Sequence, residues 1–244
     1  GRAFRAPTAR ELLVEVGVDG DGNNLFTNGN PGLEPEIIDT IEAELTLTPA
    51  RPLELRAAAF VSGIDQEINK STVADPTLGS EYYANLGGAL AMGTELEGTL
   101  TSGAWEANAS YTYTQAHDRE TGNRTYAFPR HMGHARLGMR PVEPLSLSLL
   151  GDLYGVQPRS EWTPDSGLAD GPAYGLLHAA IAVDGLAKGR VAADISVRNL
   201  LDTQFSTLIP QEDANAVNSD GTAKYPNDIE GEGRTINVDV EVRF

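Results

Sequence analysis

A chain of 244 residues has room for one large domain or two ordinary ones. It contains no cysteine, which excludes a disulfide framework, a thiolate zinc site and a cysteine nucleophile. Eighteen basic against 35 acidic side chains leave a net charge of −17, a balance that repels phosphates and excludes nucleic acid as a partner.

In chain order, Gly1-Arg-Ala-Phe-Arg5 reads as the end of a strand, with neither the apolar core nor the cleavage site of a signal peptide before it. The chain is therefore expected to start at an internal point of a longer one. Asp19-Gly-Asp-Gly-Asn23 places oxygens at the first, third and fifth positions of a calcium loop. The sixth and twelfth positions are Asn24 and Asn30 rather than glycine and glutamate, so a solvated turn-rich loop is expected there. Strict alternation of apolar and polar residues then predicts strands. Leu53, Leu55, Ala57, Ala59 and Val61 alternate with Glu54, Arg56 and Ser62. Trp105, Ala107, Ala109, Tyr111 and Tyr113 alternate with Glu106, Asn108, Ser110, Thr112 and Thr114. A helix there would put Trp105, Asn108, Ala109 and Thr112 on one mixed face, so the strand reading wins. Leu145, Leu147 and Leu149 face away from Ser146, Ser148 and Asp152, and Val191, Ala193, Ile195 and Val197 from Arg190, Asp194, Ser196 and Arg198.

The pattern is weaker over 36–48, 85–100, 131–140 and 174–184, where glycines and small residues blur it. It is clearest in the last segment. There Ile236, Val238, Val240, Val242 and Phe244 share one parity, and Thr235, Asn237, Asp239, Glu241 and Arg243 share the other. Nine whole strands follow the partial one. No run of about 18 apolar residues offers a membrane helix. A barrel would leave none, since its apolar residues fall at every second position and about 9–11 residues suffice to cross. Two readings remain at this point, a transmembrane barrel and a soluble sandwich of amphipathic strands.

The connections favour the barrel. Pro49–Arg51, Thr101–Gly103, Pro141–Glu143 and Gly185–Lys188 are short turns, while 6–35, 69–82, 118–130, 158–173 and 206–233 are long and polar. Short turns on one side and long loops on the other are the habit of an up-and-down outer-membrane barrel. Tyr82, Tyr83, Tyr111, Tyr113, Tyr154, Tyr174 and Phe205 gather at loop ends, as an interfacial girdle would.

Several stretches then carry a resemblance. Phe4-Arg5-Ala6-Pro7-Thr8 precedes Glu11-Leu12, and Asn30-Pro31-Gly32-Leu33-Glu34-Pro35-Glu36 runs into Asp39-Thr-Ile-Glu42. Tyr83-Ala-Asn-Leu-Gly87, Gly93-Thr-Glu-Leu-Glu97 and Ala109-Ser-Tyr-Thr-Tyr-Thr114 follow in order. Asn199-Leu200-Leu201-Asp202 with Phe205, and Gly233-Arg234, complete the set. From end to end the chain resembles the C-terminal part of the β-barrel of a TonB-dependent outer-membrane receptor. That resemblance implies an all-β, antiparallel up-and-down transmembrane barrel of about 22 strands with a plugged lumen, of which residues 1–244 hold about ten strands and neither the plug domain nor the TonB box. A complete ten-stranded barrel is the alternative. It further implies active uptake of a large scarce nutrient such as a ferric siderophore, in the bacterial outer membrane. The implied partners are lipid, the plug, TonB reached through the plug, the outer-membrane assembly machinery and a metal-chelate ligand. Val240, Val242 and Phe244 match the C-terminal signal that this machinery reads. A passive porin-like barrel is the rival function.

No cofactor and no enzyme chemistry are expected. The Phe-Arg-Ala-Pro and Asn-Pro boxes resemble those flanking a haem-ligand histidine, yet residues 9–29 contain no histidine. His117, His131, His134 and His178 lack metal-binding spacing, and His131 and His134, three apart, point to opposite faces of a strand. A nucleophile elbow, a phosphate-binding loop and a dinucleotide fingerprint are all missing from the sequence. By parity Arg56, Glu95, Glu97, Glu106, Asn108, Arg136, Arg140, Asp194, Arg198, Asp239 and Glu241 are expected to face a barrel lumen.

Overall fold

A computed structural model describes residues 1–13, 15–18, 24–27, 29–71, 73–79, 81–124, 128–159, 169–208 and 228–243. The Asp19–Asn23 tract and Phe244 lie outside the described residues. In chain order the elements are β1 (Arg2–Arg5), α1 (Ala9–Leu12), β2 (Glu15–Val18), β3 (Asn24–Thr27), β4 (Glu36–Ala50), β5 (Leu53–Asp65), β6 (Ile68–Ser71), β7 (Tyr82–Asn85), β8 (Gly88–Ser102) and β9 (Trp105–Asp118). Then come β10 (His131–Val142), β11 (Leu145–Tyr154), β12 (Tyr174–Gly185), the single turn α2 (Leu186–Gly189), β13 (Val191–Arg198), β14 (Ser206–Thr207), β15 (Ile229–Glu230) and β16 (Thr235–Val242).

Ten of these strands form one sheet in the order β1-β4-β5-β8-β9-β10-β11-β12-β13-β16. The pairings described for it are antiparallel, between sequence neighbours on the sheet. The nine whole strands and the partial first one are the strands expected from period-two alternation. Their ends shift by a residue or two, because ladder bonds run on into the turns: the Thr101 amide still donates to the Pro52 carbonyl at 3.3 Å and the Arg140 amide to that of Ala104 at 2.8 Å. The turn between β12 and β13 takes positive φ at Gly185 (90°), Ala187 (51°), Lys188 (63°) and Gly189 (87°). Glycine takes that conformation freely and the other two do not. Among the described residues the long connections hold three two-stranded hairpins, β2 with β3, β6 with β7 and β14 with β15, that alternation does not reveal. Gly87, at φ 55°, separates β7 from β8 where one strand over 85–100 was expected.

The sequence divides between two compact units, Gly1–Glu42 with Phe60–Met92 and Ala116–Thr125, and Ala43–Ala59 with Gly93–Gln115 and Tyr126–Phe244. In the first, Leu33, Ile68 and Tyr83 form a small apolar cluster with Leu12 packed against it. In the second, the register lines up Trp105, Met139, Leu147, Ile181, Ile195 and Val238 across six strands on one face. This row is not buried: Trp105 is 48% exposed, Ile181 51%, Ile195 50% and Val238 64%. The other sheets among the described residues are two-stranded hairpins, so nothing here builds the facing sheet of a sandwich. Water-soluble domains bury such rows, and the soluble-sandwich reading fails on this point.

Candidate functional site on the polar face of the strands

The face opposite the apolar rows carries the charges, and strand pleating puts them there: every second residue of β5, β8, β9, β10 and β13 projects to that side. Arg56 on β5 donates to Glu44 on β4 at 2.7 Å and lies 3.8 Å from Glu97 on β8. Asn108 on β9 donates to Glu97 at 3.2 Å and to the Thr99 hydroxyl at 3.0 Å. One strand further on, Arg136 donates to Glu106 at 3.2 Å. Glu95 lines a hollow of about 220 Å³ with Arg56, Glu97 and Ser110. Of the expected polar set, Arg56, Glu97, Glu106 and Arg136 are thus brought into cross-strand ion pairs, and Asn108 is hydrogen-bonded to Glu97. These groups are about half exposed, at 43% for Arg56 and 45% for Arg136, so each pair stabilises the sheet by less than about 1 kcal/mol.

Toward β16 the balance changes. Asp194 stands directly opposite Asp239 in the ladder and Ala192 opposite Glu241. Glu241 takes up Arg243 at 2.9 Å, while Arg198 stands opposite Thr235. Two carboxylates facing each other across a ladder repel. Val240 and Val242 sit on the apolar parity of β16, opposite Ala193 and Val191.

At the loop ends of β10, β11 and β12 lies a cluster that spacing along the chain does not show. His134 Nδ1 meets Asp152 Oδ1 at 2.6 Å and His178 Nε2 meets Asp152 Oδ2 at 3.1 Å. Neighbouring strands supply the three groups, and only cross-strand register could have found them; the legible signal was Asp152 on the parity of Ser146 and Ser148. One step closer to the loops Tyr154 stacks on Tyr174 with ring centroids 4.8 Å apart, and Tyr174 on Phe205 at 4.7 Å. Tyr154 and Tyr174 share the parity of Asp152 and His178. They belong to the polar face and not to an outward girdle, which corrects the expectation for them. Tyr111 lies opposite Gly133 on the apolar side, with its hydroxyl 2.7 Å from His131 Nδ1. His131 and His134 do point to opposite faces. Among the described residues no group of three metal-binding side chains is arranged to hold an ion.

The remaining motif positions have structural work. Arg5 reaches Glu36 through two bonds of 2.6 Å and Glu11 through two of 3.0 and 3.1 Å, while Glu36 also accepts the Ile68 amide at 2.8 Å. Thr8 and Glu11 form a capping box that starts α1. Phe4 is exposed, Ala6 and Pro7 lie between β1 and α1, and Pro31 and Pro35 precede β4, where Pro35 cannot donate to a ladder. Asn30 accepts the Gly32 amide at 2.9 Å and Leu33 enters the apolar cluster. Asn199, 3% exposed, bonds Thr203 and the Glu232 carbonyl. Asp202 accepts the Arg234 amide at 2.8 Å, and the Leu200 amide donates to the Leu177 carbonyl at 2.6 Å.

A family model described as TonB dependent receptor-like, beta-barrel, matches residues 1–200. Among solved structures the chain is similar to a variant of the ferric enterobactin receptor PfeA from Pseudomonas aeruginosa, with TM-score 0.77, 20% identity, and coverage of 100% of this chain and 37% of that one. It is also similar to the siderophore receptor PirA from Acinetobacter baumannii, at 0.74, 14%, and 100% against 38%, and to the copper transporter OprC, at 0.72, 18%, and 100% against 36%. Such identities speak for the fold, and the chain spans little more than a third of each of these proteins. No curated protein matches it.

Proposed function

The chain belongs to the TonB-dependent receptor β-barrel family of the bacterial outer membrane, and we propose that it forms the C-terminal part of a receptor barrel that imports a large scarce nutrient. The family is one of transport receptors rather than enzymes. A metal chelate such as a ferric siderophore is the cargo we assign, in keeping with the siderophore receptors it resembles in fold.

One observation carries this reading: exposed aliphatic rows on one face and ion-paired, half-exposed charges on the other. In lipid every backbone group must be paired within the sheet, and only side chains on the outer parity meet hydrocarbon. The apolar rows are then the lipid face. Arg56, Glu95, Glu97, Glu106, Arg136, Asp194 and Arg198 are the lumen face, in contact with water or a plug. The long connections offer surface to the ligand, and energy enters through TonB acting on a plug carried by the same receptor.

Uptake tests this directly. Under iron limitation, deleting the gene should abolish accumulation of at least one labelled ferric siderophore, and removing TonB should abolish it equally. Uptake that survives without TonB would instead place the barrel among passive pores.

A further inference from the structure

His178 is held at both ring nitrogens by groups that require opposite things of it. Its Nδ1 receives the Asn199 backbone N–H at 3.2 Å, so Nδ1 carries a lone pair and no proton. Its Nε2, 3.1 Å from Asp152 Oδ2, therefore carries the proton and donates it. One neutral tautomer satisfies both contacts. A metal on Nε2 would move the proton to Nδ1, against the Asn199 amide, which argues against ligation by this histidine.

Asn199 is the keystone of the connection that leaves β13. It is buried, its φ is 49°, its side-chain amide donates to the Thr203 and Glu232 carbonyls at 2.9 and 3.1 Å, and its side-chain oxygen accepts the Thr203 amide at 2.9 Å. Moving its backbone N–H therefore disturbs both arms of the connection where they meet the sheet.

We propose that His178 is a proton-operated latch that ties the base of the β13–β16 connection, at Asn199, Thr203 and Glu232, to the polar face of the strands. Protonation adds a hydrogen at Nδ1, which then confronts the Asn199 N–H at 3.2 Å with no acceptor between them. One of the two groups must withdraw. The titratable and charged groups that face His178 are Asp152 and Tyr154 on β11, His134 and Arg136 on β10, Arg198 on β13, Tyr174 on its own strand, and Asp202, Glu232 and Arg234 at the base of the connection.

Amide hydrogen exchange of the full gene product in detergent reads the latch. After correction for intrinsic rates, protection at Asn199 and Thr203 should fall on the order of tenfold from about pH 7.5 to about pH 5, a window that spans the range in which an imidazole changes charge. Protection within the β12–β13 ladder should hold. His178→Asn keeps a side-chain acceptor near the Nδ1 position and removes titration, so both amides should stay protected at both pH values. His178→Gln keeps a donor toward Asp152 but loses that acceptor, so both should be weakly protected throughout. Wild-type protection that does not change with pH, a pH dependence that persists in His178→Asn, or wild-type behaviour in His178→Gln would each overturn the proposal.

Discussion

Glu36 serves three elements at once, the guanidinium of Arg5 on β1, the amide of Ile68 on β6 and its own place at the start of β4. Its side chain is 10% exposed. Glu36→Ala would leave the Ile68 amide without its acceptor and should destabilise this unit by about 1–3 kcal/mol. Glu36→Gln keeps an acceptor there and should cost less, the comparison being read from urea unfolding of the two variants. At Glu11 burial works to raise the carboxyl pKa, but the Thr8 amide, Arg5 and the Thr8 hydroxyl outweigh it and leave it lowered. A lowered acid contributes stability that is complete above its unfolded value, near 4.3, and is lost as pH falls through the folded value. Exchange protection of the Leu12 amide should therefore decline below about pH 4.3 and lose that acid dependence in Glu11→Gln. The sequence shows Arg5, Glu11 and Glu36 as members of motifs. It cannot show that they meet, because the contact from Arg5 to Glu36 depends on β1 pairing with β4 across a long connection.

Strands were legible because a sheet with different solvents on its two faces imposes period two on every long segment. β13 is a plain case: Ile195 lies on the exposed apolar parity and Ser196 on the polar one. Ile195→Arg should cost about 2–4 kcal/mol near the bilayer midplane, and Ser196→Arg much less, measured by unfolding from lipid vesicles. Equal costs would mean that the parity is misassigned. β6 and β7, four residues each, are too short for alternation to declare them, and their formation depends on Ile68 and Tyr83 reaching Leu33. Gly88 marks a close approach: a Cβ there would lie 2.3 Å from the Ile64 carbonyl oxygen. Gly88→Ala should thus push β5 and β8 apart at that end, seen as faster amide exchange around Ile64. The His134, Asp152 and His178 cluster stayed hidden for a different reason. Its members lie 18 and 26 residues apart and only the register of β10, β11 and β12 joins them.

At the scale of the molecule, a net charge of −17 coexists with many exposed aliphatic side chains because the two are sorted onto opposite faces and loops. The C-terminal strand belongs to this sorting, with Val240 and Val242 on the apolar parity. Deleting Phe244, which shares their parity in the sequence, from the full-length receptor should leave synthesis and export intact and sharply lower recovery in the outer membrane, as quantified by membrane fractionation. One parity of these strands is expected to meet lipid and the other water. Because the chain contains no cysteine, single cysteines can be placed in turn at residues 193 to 198 of β13 and at 236 to 241 of β16 and labelled with an environment-sensitive probe in native outer membranes. Strict alternation is expected: probes at 193, 195, 197, 236, 238 and 240 are quenched by a lipid-soluble agent, and those at 194, 196, 198, 237, 239 and 241 by a water-soluble one. Uniform water accessibility on both parities would contradict it.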